Sequence, residues 1–288
     1  MSFHTAVAPV HDSARRALLP GLPDFAAVFA ALMCHEPAAK IAALRDLSWS
    51  ADAHRDAFPV AAVPVPGRPE RPLLVAPRAL KSRGLGTEGG RAALVHAVAH
   101  IEFNAINLAL DALYRFRNLP ADYYRDWYGV ALDEARHFEM LVTRLHALGH
   151  AYGDFPAHNG LWETACATAH SCLARMALVP RVLEARGLDV TPGMIERLAR
   201  VGDHATIAIL NIILSEEVGH VGVGTRWFRH CCAAAGVEPD ATFLQLVRTH
   251  SAGVIRTPFN EVARRVAGFT DLEQSGLVAL AESMDRLR

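Results

Sequence analysis

One spacing occurs twice in this chain of 288 residues. Glu102 is followed 32 residues later by Glu134, the first residue of Glu134-Ala-Arg-His137. Glu184 is followed 33 residues later by Glu217, the first residue of Glu217-Val-Gly-His220. Residues at i and i+3 share one side of a helix, so each Glu-x-x-His aims a carboxylate and an imidazole the same way. Two helices each giving a Glu and two each giving a Glu-x-x-His make the ligand set of a dinuclear metal site inside a four-helix bundle. The expected fold is therefore all-α.

Hydrophobic periodicity places those helices. A first helix over about 91–115 aligns Val95, Val98, Ala99, Glu102, Ala105, Ile106, Ala109 and Leu113 on one face. A second, about 122–148, aligns Trp127, Val130, Ala131, Glu134, His137, Leu141 and Leu145, with Gly149 as its stop. A third runs over about 161–186 and ends at Gly187, and Pro192 opens a connecting segment. A fourth, from 194 or 202 to 235, turns Ile209, Leu210, Ile213, Glu217, His220 and Val221 inward. A fifth lies near 241–267, followed by an amphipathic tail.

Ahead of the bundle, residues 26–47 read as helix interrupted near Pro37. Then Pro59, Pro64, Pro66, Pro69, Pro72 and Pro77 fall within 19 residues, a density that excludes helix and sheet interior. The expected organisation is an N-terminal helical segment with a Pro-rich arm packed on the bundle (1–90), the metal-binding bundle with its C-terminal helix (91–270), and a C-terminal tail (271–288).

Every proposed ligand interrupts an apolar face. A buried carboxylate without a partner is costly, and four on inward faces are hard to explain without cations. The metal ligands are read as Glu102, Glu134, His137, Glu184, Glu217 and His220. Glu184 is preferred to Glu163, whose spacing to Glu217 breaks the symmetry. Oxygen-rich ligation with two imidazoles favours a pair of iron ions, with manganese as the alternative. Around them, Asp133 and Glu216 each precede a ligand Glu and either accept the free ring N–H of a His on the opposite helix or face solvent. Arg136 would pair with one of these acids. Pro180, one turn before Glu184, either kinks the helix to aim Glu184 or begins a shorter helix. His96 and His100 lie away from Glu102 on their helix and are expected to contact the arm or the fifth helix. His170 is expected at a core or pocket end. Trp162, Trp227 and Phe228 read as core.

Several stretches resemble a known group. Asp133-Glu-Ala-Arg-His137 is similar to the motif of ferritin-like diiron carboxylate proteins. The runs from His96 to Glu102, His150 to His158, Met176 to Asp189 and Glu216 to His220 resemble a ferritin-like family catalogued only as a domain of unknown function. Its relatives include the diiron tRNA hydroxylase that oxidises isopentenyl-modified adenosine. The resemblance covers about residues 25–270. It implies a ferritin-like bundle and a two-metal site at the six positions above, and supplies no substrate. The second motif departs from the first, with Gly219 where the first has Arg136.

The expected function is a non-haem diiron oxidoreductase, an oxidase or monooxygenase that uses O2 as co-substrate on a small-molecule or modified-nucleoside substrate. Electrons would come from an external donor, because neither a dinucleotide-binding Gly-x-Gly-x-x-Gly nor an iron–sulfur cysteine array is present. The alternatives are a ferroxidase or peroxidase that handles iron alone, and a tRNA-modifying hydroxylase. A formal charge of −1 argues against strong phosphate binding, and Arg175, Arg181, Arg186, Arg197 and Arg200 are read as a solvated helix face rather than a nucleic-acid patch. Apolar runs such as 207–214 are too short to span a bilayer. Five cysteines without Cys-x-x-Cys, and no basic-then-apolar leader, point to a cytoplasmic protein with reduced thiols. A homodimer is compatible with the pattern.

Overall fold

A computed structural model describes residues 19–55, 58–81, 83–251 and 254–286. Among the described residues the regular elements are helices, apart from a two-stranded antiparallel ribbon of β1 (Leu22–Pro23) with β2 (Trp49–Ser50). The first part of the N-terminal segment, residues 1–18, lies outside the described residues.

Two short helices, α1 (Phe25–Met33) and α2 (Pro37–Arg45), precede the long ones. Between them Lys40 is fully buried, and its Nζ donates to Ala31 O (3.0 Å) and Leu32 O (2.6 Å), carbonyls at the end of α1 that also accept from Cys34 N and Gly67 N. Burial pulls this amine down to about 7. The Pro-rich stretch is extended apart from a single 3-10 turn at Pro77–Ala79. It is tied down by Tyr114, whose hydroxyl donates to Pro59 O, by Trp162 Nε1 on Pro64 O, and by a parallel bridge between Leu74 and Ala157.

The core is built from α3 (Glu88–Arg115), α4 (Ala121–Ala147), a long interrupted helix, and α8 (His204–Ala235). α3 pairs with α4, α4 with α8, and α8 with the interrupted helix. By length and apolarity α3 and α8 each match a membrane span, although no single apolar run does. Both carry buried carboxylates, Glu102 and Glu217 respectively.

The interrupted helix is where the structure departs most from the sequence reading. Instead of one helix over 161–186, there is α5 (Gly160–Ala167), a break at residues 168–171, then α6 (Cys172–Leu178), a π-helical turn (Val179–Glu184) and α7 (Ala185–Ala199). Gly187 does not end it and Pro192 lies inside it. Pro180 neither starts a helix nor merely kinks one: it sits in the π-turn, where Ala185 N–H reaches back five residues to Pro180 O. Gly224 on α8 makes the space, since a Cβ there would stand 2.4 Å from the Pro180 ring.

Pro192 removes the N–H that would serve Leu188 O. Asn260 replaces it: its Nδ2 donates to Leu188 O (3.2 Å), while its Oδ1 caps α10 (Glu261–Val266) by accepting from Ala263 N. Asn260→Ala is therefore expected to lower stability by about 1–2 kcal/mol, losing a cap and a bond to a helix carbonyl. In a Pro192→Ala background the loss should shrink, because residue 192 then has its own donor. A double-mutant cycle by urea unfolding measures this, and strict additivity would refute the coupling.

The expected fifth helix over 241–267 is two helices, α9 (Pro239–His250) and α10. The tail is a further helix, α11 (Asp271–Asp285), whose Leu277 and Ala281 are buried.

Candidate metal centre

The six proposed ligands come from all four core helices. Glu102 projects from α3, Glu134 and His137 from α4, Glu184 from the end of the π-turn, and Glu217 and His220 from α8. All six are buried. Two groups have ligand atoms within 4.8 Å of one another: Glu102 with Glu134 and His137, and Glu134 with Glu217 and His220. Glu134 belongs to both. Its Oε1 is 2.9 Å from His220 Nδ1 and its Oε2 is 3.4 Å from His137 Nδ1. His137 Nδ1 is 3.1 Å from Glu102 Oε2, and His220 Nδ1 is 3.2 Å from Glu217 Oε2. Glu184 falls outside both tight groups, yet its strongest electrostatic neighbour is Glu217, followed by Glu134. Glu163, the other acid considered for this helix, is exposed on α5.

The Nδ1 atoms face the carboxylates and the Nε2 atoms face outward, each to an acid on the opposite helix. His137 Nε2 lies 2.6 Å from Glu216 Oε2, and His220 Nε2 lies 3.4 Å from Asp133 Oδ2. Arg136 joins the two acids, donating to Glu216 Oε2 and lying 3.5 Å from Asp133 Oδ1. The two imidazoles, two acids and one guanidinium form a continuous belt across α4 and α8. Carboxylates on the far ring nitrogen fix tautomer and orientation and raise ligand basicity.

The electrostatics fit cations. Burial, reinforced by neighbouring carboxylates, holds Glu102, Glu184 and Glu217 above the usual carboxylate range. Glu134 goes the other way: burial is outweighed by His220, His137 and Glu102, which keep it ionised. Burial would lower both histidines, but the carboxylates around them hold His137 and His220 well above the ordinary imidazole value. Glu184 Oε2 is buried with no hydrogen-bond partner, an arrangement that is costly for a carboxylate unless a cation completes it. Carboxylates and imidazoles grouped in this way could hold hard-to-borderline divalent cations, whose uptake would release the protons these groups otherwise hold.

Residues outside the cluster fall differently from expectation. His96 and His100 contact the loop after α4 rather than the arm or the fifth helix: His96 Nε2 accepts from Gly153 N, while His100 meets Tyr152 OH and His158 O. Burial takes both imidazoles down to about 4. His170 is exposed in the break before α6, not at a core end. Trp162, Trp227 and Phe228 are core. Arg186, Arg197 and Arg200 are exposed, but Arg175 and Arg181 are buried in ion pairs with Asp111 and Glu273. Nothing local in sequence marks those pairs, since the partners lie 64 and 92 residues away.

A cavity of about 400 Å³ lies between the arm, the loop after α4 and the outer face of α3, with Lys81, Arg83, Ala97, His100, Ile101 and Phe155 among its walls. None of the six ligand residues lines it.

A family model described as "Protein of unknown function (DUF455)" matches residues 33–274. A protein of Haemophilus influenzae (strain ATCC 51907 / DSM 11121 / KW20 / Rd), whose printed name is "Uncharacterized protein", is 45% identical over 223 residues, covering 75% of this chain and 77% of the relative. No solved structure matches the chain.

Proposed function

Because the chain belongs to the DUF455 family, whose description assigns no activity, we propose a function from the site itself: a ferritin-like, dinuclear non-haem iron oxidoreductase that consumes O2. The observation that carries this reading is Glu134, a single buried carboxylate shared by two Glu/His groups, each completed by a carboxylate from another helix. Glu102, Glu134 and His137 would hold one ion, and Glu134, Glu217, His220 and Glu184 the other. Manganese is the alternative occupant. When bound, a ferrous pair supplies the electrons for reaction with O2.

The chain's own residues supply the surroundings. Asp133 and Glu216 orient His220 and His137, and Arg136 holds those two acids in place. α3 and the apolar faces of α4 and α8 keep bulk water from the carboxylates. Continuous turnover requires an external electron donor. The substrate in this reading is a small molecule or modified nucleoside oxidised in a cytoplasmic setting.

A second reading is iron oxidation without an organic substrate. It is favoured by one observation: the 400 Å³ cavity is not lined by any ligand residue. The tRNA-directed version has less support, because two of the five arginines that would form a basic face are buried.

The test is anaerobic loading with ferrous iron followed by O2. Two irons per chain, O2 uptake and a new near-ultraviolet charge-transfer absorption are expected, and Glu217→Ala should abolish the absorption. One tightly held zinc, or no iron and no response to O2, would sink the proposal. Substrate-free O2 uptake at a sustained rate with excess ferrous iron would favour the second reading.

A further inference from the structure

Glu184 is the one proposed ligand that reaches the centre from an irregular stretch of helix, and side-chain bonds to that stretch come from α8 and from the C-terminal segment. Arg181, three residues earlier in the π-turn, is fully buried. Its NH2 donates to Glu273 Oε2 (2.6 Å) and its Nε to Thr225 Oγ1 (3.1 Å). Its guanidinium lies 4.1, 4.5 and 4.8 Å from the ring centres of Phe243, Phe269 and Phe228. Glu273 is itself fixed. It is the third residue of α11, its Oε2 accepts from Thr270 N (3.0 Å), and its own N–H donates to Thr270 Oγ1. This reciprocal capping box determines where its carboxylate stands.

Thr225 lies five residues beyond His220 on α8, so Arg181 reaches both α11 and the helix that carries Glu217 and His220. Five residues after Glu184, Asp189 accepts from Arg264 NH2 (2.7 Å), Arg264 Nε (3.0 Å) and Asn260 N (2.9 Å). Glu184 is thus bracketed by two buried attachments to residues 260–273. A π-turn takes one extra residue into its hydrogen-bonded ring, and without the bonds of Arg181 this stretch, where Pro180 has no N–H for a regular ladder, would relax into another helical register. That relaxation would rotate the following residues about the axis and swing Glu184 away from Glu217.

We infer that Arg181 and Glu273 are positioning residues for Glu184: their ion pair holds the π-turn that presents this carboxylate to the second cation position. The inference rests on the two-cation reading above. It makes the C-terminal helix part of the metal centre, although no residue of that helix is a ligand.

The test uses the full chain, freed of metal by chelation and titrated anaerobically with Mn(II), with unbound ion read by electron paramagnetic resonance and folding by circular dichroism. The wild type should bind two ions. Arg181→Met/Glu273→Gln removes both charges together, so no buried ion is left unpaired. It should keep the first ion and weaken the second by about tenfold to a hundredfold, the usual consequence of losing a group that orients a ligand. A purely structural role would lower both affinities together, so the ratio between them is the quantity that decides. If the double variant does not fold, Glu273→Gln alone serves instead: it removes the charge of the pair while its amide oxygen keeps the bond from Thr270 N, and a smaller shift of the ratio in the same direction is expected. An unchanged ratio in a folded variant overturns the inference. A wild type that binds fewer than two ions overturns the two-cation reading, and this inference with it.

Discussion

On the two-cation reading proposed above, Glu134→Ala is expected to abolish binding of both metal ions, not one. Glu134 is the only side chain in both ligand groups, with one oxygen 2.9 Å from His220 Nδ1 and the other 3.4 Å from His137 Nδ1. Deleting it would take a proposed ligand from each position, together with the negative charge the two cations would share. Glu102→Ala and Glu217→Ala each strip a single group. Those variants should retain about one tightly held ion per chain, because Glu102→Ala leaves two proposed ligands at the first position and Glu217→Ala takes from the second the carboxylate nearest its imidazole. The comparison is made by metal analysis after anaerobic ferrous loading, with O2 uptake in parallel. Uptake should fall to background in Glu134→Ala. A Glu134→Ala protein that still holds two ions would show that Glu134 is a core carboxylate and not a shared ligand.

The metal-free fold gives an independent check. Burial and like charges hold Glu184 above the normal carboxylate range, with one oxygen unpartnered. Glu184→Gln should therefore cost the metal-free fold little while weakening the second ion. That split separates a residue kept for function from one kept for packing.

The candidate site was legible because its signal is local. An i, i+3 pair on a helix needs no tertiary knowledge, and an acid on an apolar face stands out against its neighbours. The same locality explains Asp133 and Glu216, whose places next to ligand carboxylates set them toward the opposite helix, where the structure has them facing His220 and His137. What was not legible depends on distant partners. Gly187 and Pro192 carry the usual marks of a helix end, yet the helix continues because Asn260, 72 residues away, supplies the donor that Pro192 lacks. Pro180 is accommodated by a missing Cβ at Gly224 on another helix. The break at residues 168–171 is closed by Arg175 on Thr168 Oγ1 and Ala165 O, whereas the split between α9 and α10 has a local mark in Pro258. Arg175 and Arg181 read as solvated because most arginines are, and only the folded chain brings Asp111 and Glu273 to them.

Asp111→Ala is expected to destabilise the fold by about 3–5 kcal/mol, because it leaves buried positive charge without a partner. Asp111 is almost fully buried on α3. It accepts from Arg115 Nε (3.0 Å) and NH2 (2.6 Å) one turn along its own helix, and from Arg175 NH1 (2.6 Å) on α6. Arg175 in turn holds the break between α5 and α6, donating from Nε to Thr168 Oγ1 (2.8 Å) and from NH2 to Ala165 O. A guanidinium cannot escape by losing its proton. Without Asp111, Arg175 must stay buried and unpaired, or leave and give up the bonds that close the break. Two comparisons separate the charge from the packing. Asp111→Asn keeps an acceptor and the volume, so it should cost less than Asp111→Ala. Arg175→Met leaves Asp111 paired with Arg115 and should also cost less. Against a total stability of about 5–15 kcal/mol for a domain, the alanine change would remove a large share. Urea unfolding of the three variants measures the order directly. A loss below about 1 kcal/mol for Asp111→Ala would mean that water replaces the carboxylate and that the Arg175 contact is not what joins α3 to α6.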